Sequence, residues 1–149
     1  MRNEDLREIL ITEEEIKNKV AELGKRITSD YADKDNIVVI GILKGSLPFM
    51  ADLLREIKLP VEIDFMSVSS YGSGTETSGK ITIRKDLDGD IRDKNVIIAE
   101  DIIDSGVTLS NLCKLLEERC PESIEICTLA NKPERRIADM DVKYIGFDI

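Results

Sequence analysis

The residues with the clearest chemical potential lie in one short segment, VIIAEDIIDSGVTL, at positions 96–109. Three acids, Glu100, Asp101 and Asp104, follow a run of apolar residues that is typical of a buried strand. A charge next to a buried strand costs free energy unless a partner binds it. These carboxylates therefore indicate a site for a ligand or a metal ion.

The turn that contains the third acid, DSGVT at residues 104–108, leads into a predicted helix. The first turn of a helix has free N–H groups and a positive dipole end, so this turn can bind a phosphate, which its glycine lets approach closely. Glu100 and Asp101 can accept hydrogen bonds from sugar hydroxyls or hold a hydrated Mg²⁺. Together these features describe a ribose 5-phosphate site. Alternatively, Asp104 or Ser105 only caps the helix and the two acids are solvated.

The composition excludes several classes of protein. The 149 residues, 42% of them apolar and 34% charged, suit one globular domain that spans residues 1–149. The net charge of −9 disfavours a nucleic-acid partner. Three cysteines without a C-x-x-C pair, and no histidine, disfavour zinc sites and disulfide frameworks. No apolar run approaches about 18 residues, so we expect a cytoplasmic protein with no membrane partner.

The elements that must position the acids can be predicted from periodicity. Thr12 and Glu15 form a predicted capping box for a helix with apolar residues at three- and four-residue spacing. Ser46 is predicted to cap a second helix that runs to about Lys58, and a third helix is predicted from about Thr108 to Arg119. Six predicted strands have the sequences NIVVIGIL (36–43), VEIDFMSV (61–68), KITIRKDL (80–87), NVIIAEDI (95–102), IEICTLA (124–130) and VKYIGFDI (142–149).

The alternation of these strands and helices predicts an α/β fold with a mostly parallel sheet. The second and third strands flank the glycine-rich stretch 69–79, which predicts a hairpin with a mobile tip.

The chain as a whole resembles the type I phosphoribosyltransferases. The segment 96–109 resembles their phosphoribosyl diphosphate signature, in the form found in the branch that acts on 6-oxopurines. Three further stretches agree in order and spacing: GILKGSLPFMADLLR (41–55), SSYGSGTETSGK (69–80) and LANKPERR (129–136). The resemblance implies the type I phosphoribosyltransferase fold, with helices on both sides of the sheet and a flexible hairpin lid at about 69–80.

The activity implied by this resemblance is transfer of a 5-phosphoribosyl group from phosphoribosyl diphosphate to N9 of hypoxanthine or guanine. Glu100 and Asp101 match the acids that engage the ribose hydroxyls and associated Mg²⁺. Asp104 matches an acid beside purine N7, a general base or a stabiliser of the protonated base. The 5-phosphate loop is matched by Asp104, Ser105, Gly106, Val107, Thr108 and Leu109.

The resemblance also assigns roles outside the signature. The diphosphate loop is matched by Leu43, Lys44, Gly45 and Ser46, with a cis peptide expected between the first two; without the resemblance, Lys44 reads equally well as a solvated lysine. Ser70 and Tyr71 match lid residues that meet the diphosphate, although composition alone favours a hairpin tip without a role. Lys132 matches the donor to the purine 6-oxo group, or it is a surface lysine beside Pro133 in a turn.

One departure from the family pattern concerns the C-terminal side. Family members normally continue past the equivalent of GFDI with an aromatic residue that stacks on the purine and a further aspartate that binds Mg²⁺. We therefore expect an intact ribose-phosphate half and an impaired purine half. A non-catalytic sensor or scaffold that binds phosphoribosyl diphosphate or a nucleotide is the rival interpretation, and an unrelated nucleotide-binding domain is a weaker one. The family also leads us to expect a homodimer or homotetramer.

Overall fold

The computed structural model describes residues 11–70 and 80–149, which form one sheet with helices on both of its faces. The helices are α1 (Glu13–Asp30), α2 (Leu47–Glu56) and α3 (Val107–Glu117), with a short 3₁₀ turn at Pro133–Arg135. The strands are β1 (Ile37–Ile42), β2 (Glu62–Ser70), β3 (Ile81–Lys85), β4 (Asn95–Ile103), β5 (Ser123–Asn131) and β6 (Tyr144–Asp148). The six strands and three helices predicted from the sequence are all confirmed.

The strand order across the sheet is β3-β2-β1-β4-β5-β6. All neighbouring strands are parallel except β2 and β3, which form the predicted antiparallel hairpin. The tip of this hairpin, with Tyr71 of the predicted lid, lies outside the described residues. Since parallel strands end at the same edge, the segments after β1, β4 and β5 come together there.

The sheet is buried on both faces, which explains why β1 and β4 are unalternating apolar runs. Ile37 and Val39 of β1 point into a core that contains α1 and α2, whereas Val38 and Ile40 point into a core that contains α3. Burying a side chain of this size contributes roughly 1.5–3 kcal/mol. These two cores fix the register of β4, whose end carries the acids.

The helix starts agree with the prediction in one case and not in another. Thr12 caps α1 as expected, because its hydroxyl oxygen accepts a hydrogen bond from Glu15 N at 3.1 Å. The prediction that the Ser46 side chain caps α2 is wrong. The Ser46 hydroxyl instead donates to the Ile42 carbonyl at 2.6 Å. Helix α2 also ends before the predicted Lys58, whose N–H donates to the Thr28 hydroxyl at 3.0 Å.

Within residues 11–70 and 80–149, no helix combines the length and the apolar character needed to cross a bilayer.

Candidate active site

The carboxyl end of β4 opens into a cavity of about 170 Å³. Its lining includes most of the predicted phosphate turn, and Val107 is the one member of that turn that does not line it. The lining residues are Glu100, Ile102, Ile103, Asp104, Ser105, Gly106, Thr108 and Leu109. The structure therefore brings Glu100, one of the two predicted ribose acids, and the predicted phosphate turn into one space, whereas Asp101 does not line this cavity.

The phosphate turn has the local geometry of an anion site. Gly106 has φ of 78°, in the left-handed region that favours glycine, and α3 begins at the next residue. The N–H groups of Ser105 and Gly106 donate to no other residue in the described part of the chain. Free N–H groups at the positive end of a helix dipole attract a phosphate.

Gly106 is also required by its neighbours. A Cβ added there would lie 2.8 Å from Met140 Sδ and 2.9 Å from Arg136 Cδ, which is too close for carbon atoms in contact. The segment after β5 therefore packs directly against the back of the turn. A side chain at position 106 would force the Met140 and Arg136 side chains to move.

Two hydroxyls add donors near the turn. The Ser105 hydroxyl oxygen accepts from Val107 N at 3.3 Å. The hydroxyls of Thr108 and Ser70 are hydrogen bonded to each other. Ser70, at the end of β2, is thereby brought to the phosphate turn, and its expected contact with the diphosphate stays a prediction.

The adjacent acids Glu100 and Asp101 destabilise each other's charged forms. Burial raises the pKa of Glu100, and the adjacent Asp101 carboxyl adds to the shift by a hydrogen bond and by its negative charge, to a pKa of about 8. A cation between the two carboxyl groups would stabilise both of them in the charged form. Among the described residues there is no group of three or more side chains suited to hold a metal ion. Mg²⁺ usually binds one or two carboxylates and takes its remaining ligands from water and substrate phosphates, so this pair fits a substrate-borne Mg²⁺.

The predicted diphosphate loop lies beside the same acids. The Leu43–Lys44 peptide bond is cis, as expected. A Cβ added to Gly45 would lie 3.3 Å from Asp101 Oδ2, so the loop backbone runs against that carboxylate. Lys44 and Gly45 are exposed, but Ser46 is fully buried and its hydroxyl is bonded to a carbonyl. Ser46 therefore stabilises the loop through this hydrogen bond and is not exposed to a ligand.

Lys132 directly follows the carboxyl end of β5. Its Nζ is 3.6 Å from Asp104 Oδ1, and Arg135 Nε is 3.8 Å from the same oxygen. The Lys132 N–H donates to the Ile103 carbonyl at 3.0 Å, which anchors this segment to the end of β4. The predicted purine residue and the predicted catalytic acid are thus neighbours.

Sequence reasoning missed three residues at this edge. Ile102 lines the cavity with 44% of its surface exposed, which is unusual for isoleucine beside a polar site. Its sequence position, between Asp101 and Asp104 at the end of a strand, was the one pattern that could have indicated it. Asn131 and Arg136 hold the back of the phosphate turn through side-chain hydrogen bonds. Their sequence, NKPERR, gives no local pattern that indicates this contact.

The fold and this edge define a class: an α/β protein with an anion-binding turn, an acid pair and a cis-peptide loop at the carboxyl ends of its strands. The model of the phosphoribosyl transferase domain matches residues 8–149. The chain belongs to the phosphoribosyltransferase family.

Individual relatives agree with this assignment. The chain is 53% identical over 143 residues to a hypoxanthine phosphoribosyltransferase of Salmonella typhimurium, covering 95% of this chain and 80% of that protein. It is 49% identical over 149 residues to a hypoxanthine-guanine phosphoribosyltransferase of Bacillus subtilis, covering 100% and 82%. A crystal structure of a hypoxanthine phosphoribosyltransferase from Staphylococcus aureus superimposes with a TM-score of 0.90 at 48% identity, covering 94% and 76%.

Proposed function

We propose that this chain, as one phosphoribosyltransferase domain, transfers the 5-phosphoribosyl group of phosphoribosyl diphosphate to N9 of hypoxanthine or guanine in purine salvage. The products are IMP or GMP and diphosphate. One observation carries the proposal: the free N–H groups of Ser105 and Gly106 share a cavity with Glu100 and Asp104. The names of the relatives give the same activity for those proteins. No observation favours the non-catalytic alternative.

The donor would bind in two halves. The 5-phosphate accepts hydrogen bonds from the turn at Ser105 and Gly106, and the ribose hydroxyls donate to Glu100 and Asp101. The exposed backbone at Lys44 and Gly45 contacts the diphosphate. Mg²⁺, when bound with the diphosphate, supplies positive charge that stabilises the leaving group.

Transfer breaks the bond between ribose C1 and the diphosphate oxygen, which keeps the electron pair. Purine N9 supplies the pair for the new bond to C1. A base that attacks through N9 while protonated at N7 must then lose the N7 proton, and the Asp104 carboxylate can accept it. Carboxylates around the ribose also tolerate the positive charge that develops on it. Asp104 is therefore the proposed catalytic residue.

Lys132 would select the base. Its ammonium group is a donor only, so it matches the acceptor 6-oxo group of hypoxanthine and guanine and opposes the 6-amino group of adenine. Its distance of 3.6 Å from Asp104 Oδ1 supports this role, because the two groups can contact neighbouring edges of one bound purine.

Product formation tests the proposal. The chain is incubated with phosphoribosyl diphosphate, Mg²⁺ and hypoxanthine, guanine, xanthine or adenine, and nucleotide and diphosphate are quantified. We expect product with hypoxanthine or guanine and none with adenine. Donor binding without product from any base would reject the enzyme in favour of a sensor.

An Asp104→Asn variant tests the catalytic assignment. Loss of a general base typically lowers turnover by roughly 100-fold or more, so kcat should fall far more than donor affinity. Asp33→Asn, at an exposed acid after α1, is the matched control. Unchanged turnover of Asp104→Asn would remove Asp104 from the catalytic residues.

We further propose that the protein works in the cytoplasm as a homodimer or homotetramer. Leu47 and Ile63 are large apolar residues with about half of their surface exposed, 49% and 53%, and a partner subunit could cover them. Sedimentation equilibrium of the purified chain measures the assembly directly, and a monomer at micromolar concentration would reject it.

A further inference from the structure

The phosphate turn presents N–H groups to the cavity, and the opposite ends of the same peptides need donors of their own. In a trans peptide the C=O of one residue and the N–H of the next point in opposite directions. The described peptides around Ser105 are trans. Whatever holds the Asp104 carbonyl therefore also sets the direction of the Ser105 N–H, and whatever holds the Ser105 carbonyl sets that of Gly106.

The segment after β5 supplies these donors from behind. Arg136 Nε donates to the Asp104 carbonyl at 3.2 Å. The backbone N–H groups of Ile137 and Ala138 donate to the Ser105 carbonyl at 2.9 and 3.1 Å. The first of these peptides is held by a side chain, so its orientation depends on what fixes the Arg136 guanidinium.

Asn131 is the residue that fixes it. The Arg136 guanidinium donates to the Asn131 side-chain oxygen, and the Asn131 amide nitrogen donates to Asp148 Oδ1 at 2.9 Å. Asn131 is 5% exposed, at the end of β5, so its amide has little access to water as an alternative partner. A relay thus runs from Asp148 on β6, through Asn131 and Arg136, to the carbonyl of Asp104.

We propose that Asn131 is a positioning residue, which acts through Arg136 to aim the Ser105 N–H at the phosphate monoester of the ligand. This inference rests on the proposed function and assigns a residue that touches no substrate atom. An amide suits the position because it accepts from Arg136 and donates to Asp148 at the same time. Leucine can do neither, and aspartate can only accept.

The expected effect is confined to ligands that carry the phosphate. Without its acceptor, Arg136 no longer holds the Asp104 carbonyl, and the Ser105 N–H loses its fixed direction. A hydrogen bond to a charged group contributes about 1.5–3 kcal/mol, so Asn131→Leu should weaken ribose 5-phosphate binding about tenfold or more. In turnover, the KM for phosphoribosyl diphosphate should rise while kcat changes less.

A matched control is available at the opposite edge of the sheet. Asn95, at the start of β4, is 7% exposed, and its amide donates to the Asp35 carbonyl at 2.8 Å and accepts from the Ser123 hydroxyl at 2.9 Å. Asn95→Leu likewise removes one donated and one accepted hydrogen bond from a comparably buried amide, although both partners of Asn95 are uncharged. If lost stability were the cause, both variants would bind ribose 5-phosphate more weakly. If Asn131 positions the turn, only Asn131→Leu should bind it more weakly.

A polarity swap provides rescue. Asn131→Asp keeps an acceptor for Arg136 but places a second carboxylate against Asp148, which is unfavourable. Adding Asp148→Asn reverses the direction of this hydrogen bond. The amide at position 148 then donates to the carboxylate at position 131, and the net charge is unchanged. Rescue by this double variant would not follow from a merely structural role for the asparagine.

The experiment is calorimetric titration of each variant with ribose 5-phosphate, with thermal unfolding measured in parallel. We expect about tenfold weaker binding for Asn131→Leu, wild-type affinity within about twofold for Asn95→Leu, and recovery to within about threefold in the swapped pair. Equal binding by Asn131→Leu and wild type, equal losses in both leucine variants, or no recovery in the swapped pair would each overturn the inference. If the wild type itself fails to bind, the proposed function falls with it.

Discussion

Two carboxyl groups on strands on either side of β1, the buried Asp64 of β2 and the half-buried Glu100 of β4, have opposite electrostatic situations. Burial alone would raise the pKa of Asp64, but backbone N–H groups of Asp88, Phe65 and Gly89 outweigh it and hold this pKa below its ordinary value. Those donors lie 2.8–3.1 Å from the carboxylate. Burial, together with the Asp101 carboxyl, raises the pKa of Glu100 to about 8, so the neighbouring acid adds to the effect of burial instead of compensating it.

This difference is the one expected between an acid that stabilises the fold and an acid that binds a ligand. Backbone N–H groups of the protein take the place of water around the Asp64 carboxylate. Two of them come from the loop after β3, so Asp64 holds this loop against β2. The described residues give the Glu100–Asp101 pair no comparable set of donors, so a bound cation or the hydroxyl groups of a ligand would stabilise its fully charged form. Stability should therefore depend on the first acid and activity on the second.

The largest expected effect comes from Glu100→Gln. The glutamine keeps the shape but removes the charge that would engage the ribose and Mg²⁺, so kcat/KM should fall by about 100-fold or more. The free energy of unfolding without divalent cations should not decrease, because repulsion from Asp101 is relieved. Steady-state kinetics and urea unfolding measure the two quantities. If Glu100→Gln lost stability and retained activity, Glu100 would be a structural acid and its expected role in activity would be rejected.

Asp64→Ala should show the opposite pattern. Three backbone N–H groups lose their acceptor, and hydrogen bonds to a charged group contribute about 1.5–3 kcal/mol, so the free energy of unfolding should fall by at least about 2 kcal/mol. The kcat/KM of the folded fraction should stay within about threefold of wild type, because no donor contact is removed. Loss of activity at temperatures where the variant remains folded would place Asp64 in the functional site.

The contrast also explains what the sequence could predict. The phosphate turn was predictable because its glycine, hydroxyls and helix start are contiguous, at residues 104–108. The strands were predictable from unalternating apolar runs, since both faces of the sheet are covered. The role of Asp64 was not, because two of its donors lie 24 and 25 residues away, at Asp88 and Gly89.

Other features needed three-dimensional contacts for the same reason. The Asn131 relay joins residues of β5, β6 and the segment after β4, which only the strand register brings together. Ser46 was mistaken for a side-chain cap because its type suits one, but its hydroxyl donates to the Ile42 carbonyl, which also accepts from the Ser46 N–H. Local chemistry was thus predictable and long-range hydrogen bonding was not.

The pH dependence of stability should distinguish wild type from Asp64→Ala. A carboxyl with a lowered folded pKa contributes stability above its unfolded value, 3.8, and loses it as the pH falls through the folded value. The stability difference between the two proteins should therefore be full near about pH 6 and shrink below about pH 4. Urea unfolding across this range measures it. A constant difference would show that shape rather than charge of Asp64 provides the stability.

The smallest effects come from a matched pair of glycines, one beside Asp64 and one beside Asp101, the acid adjacent to Glu100. A Cβ at Gly89 would lie 3.8 Å from Asp64 Oδ2, which is ordinary contact, whereas one at Gly45 would lie 3.3 and 3.4 Å from the Asp101 oxygens. Gly89→Ala should leave activity unchanged and stabilise by up to about 1 kcal/mol, because the unfolded chain loses freedom.

Gly45→Ala gains the same entropic contribution but forces the Asp101 carboxylate to move by a few tenths of an ångström. Crowding of this kind costs about 1 kcal/mol, so the KM for phosphoribosyl diphosphate should rise about fivefold. Initial-rate kinetics and thermal unfolding of both variants test the pair. Because both glycines lie outside helices and strands, equal kinetic effects would mean that loop stiffness matters, and a difference confined to Gly45 would mean that the position of the Asp101 carboxylate does.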